Sequence, residues 1–254
     1  MFDAKKWLKR GNHETFSVAL DVRFFNDEYC VFACEKLMKY YKNIYVSRGK
    51  ELGGFRAILN TYIEIEAHYT KQLDNDDFGF VYGERACVAT FSAAAIQNGW
   101  AALCEHEHQK ISKYDGRKNS WGRGDIYLTK KELEFYGEAK YKLMTMTTTN
   151  KGWKGKISRT MKASERDIMN SIKSRRGKDE RGLAISFFCF LQKEKNYEVG
   201  KKWIENAINY IANQNDDVDA YAHYIVPKRI LANANDDWAG GFPIGFIVVL
   251  KRFG

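Results

Sequence analysis

No apolar run in this 254-residue chain approaches the roughly 18 residues that a membrane-spanning helix needs. The longest candidates, GLAISFFCFL and PIGFIVVL, have the length of strands. Cysteine is sparse: five residues, scattered and odd in number, speak against a disulfide framework. The opening MFDAKKWLKR is followed by no apolar core of a signal peptide, so a reducing cytoplasm is the expected compartment. Internal repeats and low-complexity tracts are missing. So are G-x-G-x-x-G and G-x-x-x-x-G-K-[ST], which removes the common phosphate-cradling fingerprints of nucleotide-binding proteins.

What is present suits a folded protein with an anionic partner. Hydrophobic residues make up 44% and aromatic residues 15% of the chain, enough for one sizeable core or a core with a smaller appendage. Lys and Arg number 41 against 32 acids, a net charge of +9. A basic excess of this size favours nucleic acid or another polyanion as partner, although solubility alone can also account for it.

Hydrophobic spacing divides the chain into elements. Residues 14–43 are helix-compatible, and Phe55, Leu59, Tyr62, Ile63 and Ala67 mark a second helix that DNDDFG terminates. Residues 1–80 are therefore predicted to be a helical N-terminal region, and 81–254 a core with a C-terminal extension. In that core a helix is expected over Glu84–Gln97, stopped by Asn98 and Gly99. Strands are expected over Ala101–Glu107, Asp125–Leu128, Glu134–Leu143 and Leu183–Phe190. The basic TTTNKGWKGKISRTMK reads as a loop. A helix then runs over Ser164–Lys173, with Ser164 and Asp167 resembling a capping box. Trp203, Ile204, Ala207, Ile208 and Ile211 give an amphipathic helix over Lys201–Ala212. The fold class is α/β or α+β: a mixed central sheet flanked by helices.

The chemistry concentrates in GDIYLTKKELEFYGEAK. Strand side chains alternate, so Glu134, Tyr136, Glu138 and Lys140 share one face, and Asp125 and Tyr127 share a face of the preceding strand. If the strands form a hairpin around TKKEL, Asp125 approaches Glu138 and Lys140. Two converging carboxylates repel each other, and a hard divalent cation, magnesium or manganese, relieves that repulsion. Such an ion acidifies a water and polarises a phosphoryl oxygen, while a neighbouring lysine orients the water or offsets growing negative charge. An E-x-K on an amphipathic strand is also common as a mere solvated face.

The order GERACVATFSAAAIQNGWAALCEHEH, then RGDIYL, then EFYGEAK resembles the PD-(D/E)XK nuclease superfamily, the restriction-endonuclease-like fold. The resemblance spans roughly residues 83–190, less than half the chain, and rests on the order of short motifs. It implies a helix with an acid near its start, three strands, a crossover helix and a fourth strand. By position it implies Glu84 as the helix acid, Asp125 as principal metal ligand, Glu138 as second ligand, the Ala139 carbonyl in the metal shell, and Lys140 as catalytic lysine. Gly124 stands where the namesake pattern has proline.

Other features compete for attention. Cys104, His106 and His108 of CEHEH mix thiol and imidazole, as zinc sites do. On one strand face, however, they spread over about 13 Å, too far for one ion. Lys151, Lys154, Lys156 and Arg159 after the E-x-K strand, and Arg123 before Asp125, would suit phosphate contacts. The function the PD-(D/E)XK resemblance implies is metal-dependent endonucleolytic cleavage of double-stranded DNA, in a restriction or defence role, with a homodimer supplying one centre per strand. RNA stays open as a substrate. The alternative is a non-catalytic nucleic-acid-binding module or subunit of the same fold.

Overall fold

The computed structural model describes residues 42–47, 53–72, 77–110, 120–146, 152–173, 181–193, 196–214, 218–233 and 241–254. Side chains at 106–110, 120–123, 173 and 233 lie outside that description. These residues form a seven-stranded mixed sheet flanked by helices.

In chain order the elements are β1 (Lys42–Val46), α1 (Gly53–Gln72), a 3-10 turn (Gly79–Val81), α2 (Glu84–Gln97), β2 (Ala101–Lys110), β3 (Ser120–Lys130) and β4 (Leu133–Met146). They continue with α3 (Trp153–Lys173), β5 (Arg181–Gln192), α4 (Tyr197–Ala212), β6 (Ala220–Ile225), α5 (Lys228–Asn233) and β7 (Phe242–Phe253). The strand order across the sheet is β1-β6-β7-β5-β4-β3-β2. Only β4 and β5 run parallel, joined by α3 as the crossover; every other pair is antiparallel.

Parity along the strands sorts the core into two layers. Phe135, Phe187 and Phe246 face α1 and α2, where Phe135 meets Phe55 at 5.2 Å and Tyr62 meets Phe246 at 5.3 Å between ring centroids. Phe91 of α2 closes on Phe187 at 6.4 Å. The opposite face carries α3 and α4, which pack together through Trp153, Trp203 and Tyr210. Strand β5 is covered on both sides, so its residues from Gly182 onward are buried without alternation. Each fully buried Phe or Ile contributes about 1.5–3 kcal/mol through removal from water, and Phe55, Ile58, Phe91, Phe135, Ile185 and Phe188 are all at 0% exposure.

The expected helix Glu84–Gln97 has those bounds, and the four expected strands are present, each longer at one end or both. The amphipathic helix starts four residues earlier than expected, at Tyr197, because the Asn196 side chain accepts from the Val199 amide and caps it. Three expectations need correction. Lys42 and Asn43, read as a helix end, begin strand β1, whose burial alternates as it pairs with β6. The basic stretch read as a loop is helical from Trp153 onward. Trp153, Ile157, Met161, Ser164, Ile168 and Ser171 recur at helical spacing and turn inward. Ser164 is therefore not a cap: it is 1% exposed in mid-helix, donates to the Met161 carbonyl and shares a 3.0 Å hydrogen bond with Ser186 of β5. Most of the 14–43 segment and Lys151 lie outside the described residues. Strand β1 and helix α1, which precede residue 81, belong to the same compact unit as the rest of the sheet.

One buried acid stands out in the α1 layer. Glu66 is 1% exposed and neither carboxyl oxygen closes a hydrogen bond, although Thr90 and the Phe80 backbone lie near enough to favour the charge somewhat. Burial dominates and pushes the carboxyl from its ordinary 4.5 up to about 8. Gly79 gives it room, since a Cβ there would stand 2.6 Å from Glu66 Oε2. Tyr62 and Cys87 beside it are themselves pushed up by burial and stay neutral through this range.

The protonated acid thus favours the folded state. Stability is greatest below pH 4.5 as far as this group is concerned, and falls as pH climbs to about 8, at roughly 1.4 kcal/mol per unit. Urea titrations of wild type and Glu66→Gln between pH 5 and 9 should show the wild type losing several kcal/mol relative to the variant. Parallel curves would show that Glu66 ionises in the fold without penalty.

Candidate functional site

The site is created by a parting of strands. Strands β3 and β4 are joined by a tight turn at Lys131 and pair from Lys130↔Leu133 as far as Ile126↔Gly137, where the ladder ends. Beyond that rung β3 continues beside β2 toward Ser120, while β4 continues beside β5 to Met146. Glycine at 137 is required by the last rung, since a Cβ there would collide with the Ile126 side chain. Past the rung, the edge of β4 that faced β3 exposes main-chain amides with no strand to receive them. Unpaired backbone donors away from water are costly, so other acceptors must be found.

Carboxylates supply them. Asp125 Oδ2, from β3, accepts from the Ala139 amide at 2.6 Å. Glu84 Oε2, from the first turn of α2, accepts from the Tyr141 amide at 3.1 Å. Gly83, with φ 101°, turns the chain into α2 in a conformation that favours glycine and offers no side-chain cap. Glu84 is thereby left to reach across to β4. Lys140 fills the same gap with opposite charge, donating to the Ala139 carbonyl at 2.8 Å and pairing with Asp167 Oδ2 of α3 at 3.1 Å.

These four groups share one electrostatic field. Burial pushes the Glu84 carboxyl up, and Asp125 and Asp167 push it further; Lys140 and the Tyr141 amide pull the other way without cancelling the rise. For Lys140, burial opposes the charge, but Asp167 above all, then Asp125 and Glu84, outweigh it and raise its pKa. Three carboxylates therefore gather around one ammonium, and the excess negative charge is what a divalent cation would relieve.

Of the residues singled out in the sequence, the structure brings together Asp125, Glu84, the Ala139 main chain and Lys140. Glu138, 3% exposed, accepts from Ser171 Oγ of α3 at 2.9 Å. The acid that faces Lys140 is Asp167, which sequence spacing assigned only to a helix cap. Its helical spacing from Ser171 lies within the expected Ser164–Lys173 helix, but the strand residue it faces is set by how α3 packs on the sheet.

Glu105 lies on β2 at the register position opposite Asp125, where the β2–β3 ladder skips a pair. Its φ of 51° is left-handed, a strained setting for a side-chain-bearing residue, and its carboxylate pairs with Arg85 at 3.1 Å. Cys104 is exposed, and the side chains of His106 and His108 lie outside the described residues, as does that of Arg123. Lys154, Lys156 and Arg159 are on α3, not on a loop; Lys154 lies over the rings of Trp153 and Tyr210 at 5.6 and 5.7 Å.

Among the described residues no three acid, histidine or cysteine side chains stand close enough to hold one ion by themselves. Magnesium does not require such a cage: it keeps several waters and binds through one or two carboxylates plus substrate phosphate. Asp125, Glu84 and the Ala139 carbonyl are hard oxygen donors of that kind. No helix among the described residues is long and apolar enough to cross a membrane. Comparison of the chain with family models, curated proteins and solved structures finds no match.

Ser171 supplies a donor to a buried carboxylate, and losing it should be felt. Ser171→Ala should lower stability by about 1–2 kcal/mol, since a buried acceptor deprived of a donor costs its desolvation. Urea denaturation at neutral pH measures this. An unchanged midpoint would mean that Glu138 is satisfied without Ser171.

Proposed function

We propose that the chain is a divalent-metal-dependent nuclease of the restriction-endonuclease-like fold, hydrolysing phosphodiester bonds of double-stranded DNA. The observation that carries this reading is the convergence of Asp125, Glu84 and Lys140 on the opened edge of β4. The element order supports it as well: a helix whose first turn holds an acid, three antiparallel strands, a crossover helix, and a fourth strand parallel to the third. That is the order the PD-(D/E)XK resemblance implies.

In this reading Asp125, Glu84 and the Ala139 carbonyl would hold magnesium or manganese. The ion would supply positive charge at the phosphoryl oxygen and a more acidic water. Lys140, on which both acids act electrostatically, stabilises the negative charge that develops on the phosphate and orients the water. Asp125 acts through its fixed geometry, since its carboxylate is anchored by the Ala139 amide on a rigid strand. Glu84, at the start of α2 and accepting from the Tyr141 amide, reaches the centre from the α2 layer. Exposed Lys154, Arg159, Lys162 and Arg166 on α3 give the phosphate backbone a basic approach. A homodimer would bring two such centres to a duplex.

A second reading, a nucleic-acid-binding module without chemistry, draws on Glu138, whose burial against Ser171 withholds one of the two acids that the resemblance assigns to the metal. Nicking of supercoiled plasmid separates the two. Wild type should cleave with magnesium or manganese and bind without turnover in calcium, which is larger and holds ligands more loosely. Asp125→Ala should abolish cleavage, Lys140→Ala should slow it by about two to four powers of ten, and Glu84→Gln should be mildest. Binding without cleavage in every metal would support the binding module. Equal, metal-independent cleavage by wild type and Asp125→Ala would sink the nuclease reading.

A further inference from the structure

We infer that Asp167 is a positioning residue for Lys140, so that helix α3, rather than the strand that carries the lysine, sets where the ammonium stands. A lysine on a strand has a flexible four-carbon stem, and strand alternation determines only its face. Here the ammonium is fixed at two points. One is the carbonyl of Ala139, its own neighbour, at 2.8 Å; the other is Asp167 Oδ2, twenty-seven positions further along the chain, at 3.1 Å. Only the second ties the side chain to another element.

Asp167 is suited to the task because it is itself held. Its other oxygen, Oδ1, lies 3.5 Å from Arg166 Nε, and one turn further Ser171 donates both to the Asp167 carbonyl and to Glu138. One face of α3 thus engages both charged side chains of the E-x-K strand, Glu138 through Ser171 and Lys140 through Asp167. The helix is pinned to the sheet by Ile168, which is fully buried, and by the closeness of Ile168 and Ile172 to Gly182, where no side chain beyond hydrogen fits. The Lys140 and Asp167 side chains are 29% and 32% exposed, so solvent screens the pair only in part.

The consequence for rate rests on the nuclease reading; the consequence for the lysine itself does not. A charge-stabilising group displaced by about 1 Å can cost on the order of a hundredfold in turnover. The test uses the full chain with Asp167→Asn, which keeps shape and a weak acceptor, and Asp167→Ala, with thermal unfolding to confirm that both fold. Limited acylation by an N-hydroxysuccinimide ester, read by peptide fragmentation, compares Lys140 with exposed Lys142 in the same strand. Both variants should raise the acylation of Lys140 relative to Lys142 several-fold. In plasmid cleavage with magnesium, they should lower kcat by about a hundredfold while KM for DNA changes little.

An unchanged Lys140-to-Lys142 ratio would overturn the inference, whether or not wild type cleaves DNA. A raised ratio with wild-type kcat would show that Asp167 holds the lysine without any part in turnover, and would overturn its role in the reaction. If wild type does not cleave at all, the nuclease reading fails, and the acylation ratio still decides whether Asp167 positions Lys140.

Discussion

The feature on which the site depends is the end of the β3–β4 ladder at Ile126 and Gly137. As long as two strands stay paired, their amides and carbonyls satisfy each other and the side chains have no reason to turn into the plane of the sheet. Where the strands part, the amides of Ala139 and Tyr141 and the carbonyl of Ala139 lose those partners. Asp125, Glu84 and Lys140 then enter from three elements to replace them. The same structural requirement that satisfies the backbone therefore assembles two carboxylates and an ammonium on one short stretch of strand edge. Satisfying orphaned donors and building a charged centre are one arrangement here.

That arrangement needs a rigid support, and the two layers around the sheet provide it. On one side Phe55, Tyr62, Phe91, Phe135, Phe187 and Phe246 interlock, fixing α2 so that its first turn delivers Glu84 to β4. On the other side α3 lies close against β5, where Gly182 leaves space for Ile168 and Ile172, and Ser164 bonds to Ser186. Both acids that act on Lys140 from outside its own hairpin come from these helices. The apolar packing thus sets the electrostatics: a shift of either helix by a fraction of its pitch would separate charges that now oppose each other.

Buried acids appear in two different roles. Glu66 has no cationic partner and no closed hydrogen bond, and burial drives it toward the neutral form. Glu84 faces a lysine and a main-chain amide, which favour its charged form and partly offset burial. The two acids differ in the donors each can reach, not in residue type.

Much of this was legible in the sequence. The apolar run of β5, the periodicity of Glu84–Gln97 and the alternation in EFYGEAK are local patterns, and local spacing determines which residues share a face. The hairpin that brings β3 beside β4 is also local, because its turn spans only a few residues. Lys140 followed from alternation along its strand, whereas Glu84 was found by motif order rather than by any physical property that spacing supplies. The tertiary structure decided the rest. Lys42–Val46 is a strand because β6, far along the chain, pairs with it. Helix α3 starts at Trp153, amid a basic stretch that reads as a loop, because Trp153 and Ile157 find apolar partners across the layer. Glu138 and Lys140, equivalent by alternation, have different surroundings because Ser171 and Asp167 of α3 each take one of them. A side chain's face is set by its own strand, but its hydrogen-bond partner is set by whatever element the fold packs against that face.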